Sequence, residues 1–81
     1  NREVLISWPE WNANLKIFTD APLDFLMIYT PADADFFCVE PVSNMTDAFN
    51  MMARQDSGHG TKILSPGESF EGKVCFVPEL N

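Results

Sequence analysis

The segment FEGKVCFV, Phe70 to Val77, carries the clearest strand pattern in the chain. Its apolar or small residues recur at every second position, and Glu71 and Lys73 fall between them. A period of two is typical of a β-strand with one buried face. One predicted face carries Phe70, Gly72, Val74 and Phe76, and the other carries Glu71, Lys73, Cys75 and Val77.

Further strands are predicted upstream, separated by turn residues. The segment DFLMIYT, residues 24–30, is a continuous apolar run closed by Pro31. Such a run favours a strand that is buried on both faces. Three shorter candidates are LKIFTD at residues 15–20, FFCVE at 36–40 and TKIL at 61–64.

Helical signals are confined to one segment. In DAFNMMARQ, residues 47–55, Asp47 is a candidate cap and the apolar spacing predicts one or two helical turns. SPGES, residues 65–69, predicts a turn of the Pro-Gly type. Because four or five strands follow one another with only turns between most of them, we predict an all-β fold, an antiparallel β-sandwich, in one segment covering residues 1–81.

The length and the net charge of the chain limit its fold and the classes of partner that it can bind. Eighty-one residues allow one small domain, and 46% hydrophobic residues argue for a packed one. Five basic and twelve acidic residues give a net charge of -7, which repels nucleic acid and anionic membranes. We therefore expect neither as a partner.

The first residues and the two cysteines indicate where the chain lies in its parent protein and in the cell. The first residues have neither an initiator Met nor the apolar core of a signal peptide, so we expect the chain to begin inside a longer protein. Cys38 and Cys75 lie far apart in strand-like runs, which favours two buried free thiols over a disulfide or a metal site. A cytoplasmic location is the resulting expectation.

Glu40 is the strongest candidate for chemistry. Pro41 follows it and cannot donate to a sheet, so the strand is predicted to finish at Glu40. Alternation puts Glu40 on the same face as Cys38, at the rim of an apolar sheet. Partial burial of this kind raises the pKa of a carboxylic acid toward the range useful for proton transfer. The alternative is a solvated carboxylate that keeps a strand end soluble.

Other candidates have simpler explanations. His59 lies between glycines in a predicted mobile loop, where a solvated side chain without a partner is expected. Trp8 and Trp11 could stack on a sugar, but core or interface packing is the more common role of such residues.

The ordered motifs LKIFTDAP, IYTP, DFFCVEPVSNMTDAFN and ILSPGESFEGKVCF resemble the C-terminal part of the aldose 1-epimerase (galactose mutarotase) family, its bacterial members in particular. The likeness runs from Leu15 to Phe76. It implies a large antiparallel β-sandwich that binds a sugar in an open cleft, with residues 1–81 as the C-terminal fragment of that domain.

The resemblance also implies a mechanism. Glu40 matches the family's catalytic base, which takes the proton from the C1 hydroxyl of a cyclic aldose while an acid protonates the ring oxygen. The ring opens, C1 rotates and the ring closes as the other anomer, and no cofactor is needed. Some members have a glutamine that contacts the sugar at about the place of Met27, where a thioether cannot make that hydrogen bond.

One part of the family's machinery is missing here. The family's acid is a histidine from an earlier part of the chain, so the parent protein is expected to be an isomerase and the 81-residue chain alone inactive. The expected partners are a monosaccharide and either the N-terminal part of the domain or another copy of the chain. Two alternatives stay open: a non-catalytic sugar-binding or sugar-sensing β-sandwich, and a purely structural fragment.

Overall fold

The computed structural model describes residues 2–80. Within them the chain is mostly β-structure, all of it antiparallel, with one short α-helix. The all-β prediction therefore holds at the level of antiparallel sheets, while two sheets of three and two strands are too small to establish a sandwich. The strands are β1 (Arg2–Trp8), β2 (Ala13–Thr19), β3 (Phe25–Tyr29), β4 (Cys38–Val42) and β5 (Val74–Leu80), and the helix is α1 (Ala48–Ala53).

The larger sheet has the order β1-β2-β5, with β2 in the centre. Ile17 of β2 pairs with Val4 on one side and Phe76 on the other, and it is 1% exposed. We call the face that carries these residues the inner face. Alternation along the strands adds nine residues to it: Arg2, Ile6, Trp8, Ala13, Leu15, Thr19, Val74, Pro78 and Leu80.

The smaller sheet pairs β3 with β4. Its register sets Met27 opposite Glu40 and Ile28 opposite Val39. Val39 belongs to the face that turns toward the larger sheet, because it lines a 320 Å³ groove together with inner-face residues. The sides of this apolar groove include Ile6, Trp8, Leu15, Phe37, Val39 and Phe76.

The prediction that Pro41 ends its strand is wrong. β4 runs from Cys38 to Val42, and Pro41 lies within it opposite Leu26. Among the described strands β4 pairs only with β3, so its other edge is free and tolerates a residue without an N–H group. Phe36 and Phe37, predicted to open the strand, precede it and are exposed.

Two further strand predictions need correction. β3 is not buried on both faces, because Leu26, Ile28 and Tyr29 are all exposed on a sheet of two strands. Residues 61–64 form no strand, since no described strand pairs with them. β5 confirms the predicted strand, but it begins at Val74 and extends to Leu80, and residues 74–78 are exposed on both faces, so the expected buried face is wrong.

The helix occurs where it was predicted, but its start differs. Asp47 precedes α1 in a left-handed conformation with φ of 68° and makes no side-chain capping bond. Its carboxylate instead accepts a hydrogen bond from the Asn50 amide and lies 3.8 Å from a guanidinium nitrogen of Arg54.

Both cysteines are free thiols. Cys38 is half-buried, and the prediction of burial is wrong for Cys75, which lies exposed on the outer face of β5.

No helix in residues 2–80 has the length and apolar character needed to cross a membrane.

Candidate functional site

Glu40 lies in the middle of β4 and its side chain is exposed. The prediction placed it at a strand end and partly buried, and both points are corrected. The rim is absent because β4 continues for two residues beyond Glu40. No hydrogen bond or ion pair within residues 2–80 engages its carboxylate, so both oxygens are free to accept from a ligand.

A cleft of 510 Å³ opens beside Glu40. Met27, the residue opposite Glu40, lines it, and so does Val42, the next residue on the same face of β4. Glu40 itself is not among the lining residues. The segment after β4 supplies the rest of the wall, with four polar residues (Asn44, Thr46, Asp47 and Asn50) and three apolar ones (Met45, Ala48 and Phe49).

The segment after β4 is held in a defined shape. The Asn44 amide donates to the Met45 carbonyl at 3.2 Å, and the Ala48 N–H donates to the same carbonyl at 3.2 Å. These bonds turn the chain from β4 into α1. Polar groups of the turn and of the first helical turn therefore face one cleft, with hydrogen-bonding groups of the kind that sugar hydroxyls use.

His59 has partners, contrary to the prediction of a solvated loop residue. It is half-buried, its carbonyl accepts from Met45 N–H at 2.8 Å, and its Nδ1 accepts from Thr61 N–H at 3.0 Å. The loop fits closely here because Gly60 packs against the Phe25 ring and the Ser43 carbonyl. His59 is nevertheless not among the residues that line the cleft.

The tryptophans form an aromatic cluster away from Glu40. The Trp8 and Trp11 rings stack with centroids 6.4 Å apart, and Phe37 lies 6.2 Å from Trp8. Trp11 is 70% exposed. Trp8 and Phe37 line the apolar groove with Val39, which points to the opposite face of β4 from Glu40. A sugar stacked on this cluster could not also reach the Glu40 carboxylate.

Sequence reasoning singled out Glu40, whose role stays a prediction, and missed the polar residues that line the cleft near it. Asp47 was interpreted only as a helix cap, and Asn44, Thr46 and Asn50 were not singled out. The signal was present in the polar run SNMTD, residues 43–47, which follows directly after Glu40-Pro41-Val42. Within residues 2–80 no group of three or more His, Cys, Asp or Glu side chains is arranged to hold a metal ion.

Comparisons of the chain with family models, with curated proteins and with solved structures found no match. The resemblance to the aldose 1-epimerase family rests on the sequence motifs alone.

Proposed function

We propose that the cleft beside β4 binds an aldose and that Glu40 is the general base of aldose 1-epimerisation. The observation that carries the proposal is the register of β3 and β4, which pairs Glu40 with Met27 at the wall of the cleft. The resemblance assigns a sugar-contacting role to both of these positions. In the proposed protein the two sheets are layers of a larger β-sandwich, which either the N-terminal part of the domain or another copy of the chain completes.

The proposed chemistry uses an unengaged carboxylate next to a cleft that is lined in part by polar side chains. Glu40 takes the proton from the C1 hydroxyl as the C1–O5 bond breaks, and an acid delivers a proton to O5. After rotation about C1–C2 the O5 hydroxyl attacks C1 and returns its proton to the acid, while Glu40 returns its proton to the C1 oxygen, which gives the other anomer. Asn44, Asp47 and Asn50 orient the sugar through its hydroxyl groups.

The acid comes from outside the described cleft. His59 is the single histidine of the sequence and does not line the cleft. We therefore expect the chain to bind an aldose and to need an added acid for turnover. This same observation favours a second candidate function, a sugar-binding module that holds its ligand without converting it.

Polarimetry in imidazole buffer near neutral pH tests the proposal, because imidazole supplies the acid that a histidine would supply. Freshly dissolved α-D-glucose or α-D-galactose is followed with buffer alone and with the chain. We expect the chain to accelerate equilibration above the buffer rate, and Glu40→Gln to lower that excess by about 100-fold or more.

Glu71→Gln is the matched control, since Glu71 is also an exposed carboxylate but lies outside the cleft, in the segment before β5. Equal loss of rate in both variants would contradict the role of Glu40. Amide resonances of Asn44, Asp47 and Asn50 that shift with sugar, without faster equilibration, would support the binding module instead. The absence of any such shift would exclude both functions.

A further inference from the structure

The inner face of β5 is apolar and uncovered. Four residues of β5 lie on it: Val74, Phe76, Pro78 and Leu80. Phe76 is 59% exposed and Leu80 is 86% exposed, although both stand on the face that carries the buried Ile17. Val39 of the smaller sheet lines a groove with Leu15 and Ile17 of this face, while the four β5 residues stay exposed.

The amount of open surface is large for a chain of this size. The accessible surface is 6361 Å², whereas a compact monomer of 9.1 kDa has about 4,900 Å². The radius of gyration is 15.9 Å, against about 12 Å for a compact chain of this length. The excess of about 1,500 Å² is more than the roughly 800 Å² that each partner buries in a stable interface.

The strip is suited to a second copy of the chain. The four β5 residues carry no charge, and the groove next to them has one charged residue in its lining, Asp35. The net charge of -7 is therefore located mostly elsewhere, and like-charge repulsion across this face is small. Phe76 lines the 320 Å³ groove and the exposed Leu80 lies on the same face, and a surface with both features can pack on itself around a two-fold axis.

We propose that the inner face of β5 and the adjoining apolar groove form a homodimer interface. In the dimer the Leu80 side chain of each copy packs against the groove of the other. The interface is independent of the proposed sugar site, because Glu40 and its cleft lie on the other face of the β3–β4 sheet.

Sedimentation velocity and light scattering on the 81-residue chain test the interface. We expect a species of about 18 kDa, twice 9.1 kDa, at tens of micromolar. Phe76→Glu places a charge in the interface of both copies and is expected to weaken dimerisation on the order of 100-fold. The control is Leu5→Glu, since Leu5 is 57% exposed but lies on the outer face, opposite Lys16.

Circular dichroism of each variant establishes that it keeps its β-structure before association is compared. A parent chain that stays at 9.1 kDa in this concentration range overturns the proposal. Equal dissociation by Leu5→Glu and Phe76→Glu also overturns it, because the association would then not use the inner face.

Discussion

The Glu68 carboxylate closes the turn at Ser65-Pro66-Gly67-Glu68. Its Oε1 accepts a hydrogen bond from Ser65 N–H at 2.7 Å, and its own N–H donates to the Ser65 carbonyl at 2.9 Å. Gly67 has φ of 87°, which the third position of a type II turn requires. The Ser65 backbone bond, then the Ser65 hydroxyl and then the charge of Lys62, hold the pKa of Glu68 below its usual value.

We expect NMR titration to find a lower pKa for Glu68 in the folded chain than in the urea-unfolded chain. The sign follows from linkage: a lowered folded pKa adds stability above the unfolded pKa of about 4.3, and that stability is lost as pH falls through the folded value. Equal pKa values in the two states would show that the Ser65 bond does not form in solution.

The residues near Glu40 show which structural properties a local sequence pattern can predict. The sequence pointed to Glu40 and to the turn at Pro66-Gly67 because both depend on neighbours in the chain. The exposure of Glu40 depends instead on which elements cover β4, and the continuation through Pro41 depends on a free edge. Neither property is encoded in the few residues around it.

At the scale of elements, the loop after α1 is joined to β3 and to the chain leaving β4. A Cβ on Gly60 would lie 2.5 Å from the Phe25 ring and 2.7 Å from the Ser43 carbonyl oxygen. Gly58 has a similar positive φ, 80° against 77°, but nothing within 4 Å of a Cβ there. Alanine substitutions at these two glycines therefore separate the cost of backbone strain from the cost of steric contact.

We expect Gly58→Ala to lower the free energy of unfolding by about 1 kcal/mol, from left-handed strain alone. Gly60→Ala carries the same strain and adds about 1–3 kcal/mol, because the Ser43 backbone cannot move away cheaply. Urea unfolding of the two variants measures the difference. Equal losses would mean that the loop does not pack against β3 and that this wall of the cleft is unsupported.

The sequence predicted an element correctly where the element's own residues carry the pattern. It failed where pairing with another strand decides the structure. β5 and α1 follow from their own periodicity. Residues 61–64 have strand-like composition but no described strand pairs with them. DFLMIYT was expected to be buried on both faces, yet its sheet has two strands, so Ile28 and Tyr29 remain open.

At the scale of the whole molecule, the apolar content exceeds what the fold buries. Within residues 2–80 only Ile17 and Ala48 are fully buried apolar residues. Composition predicted a packed domain, because seven Phe and two Trp are enough to fill a core. The described sheets do not enclose those side chains, and the proposed dimer would bury part of the apolar surface that the single chain leaves exposed.

A dimer interface makes stability depend on protein concentration. When unfolding yields two separate chains, each tenfold rise in concentration adds about 1.4 kcal/mol to the apparent free energy of unfolding of the dimer. With a denaturant slope of about 2 kcal/mol/M, the urea midpoint should rise by about 0.7 M per tenfold increase. Leu5→Glu should keep this dependence and Phe76→Glu should lose it. If the urea midpoint of the parent chain stays constant over a hundredfold range of protein concentration, the dimer is contradicted, whatever the value of that midpoint.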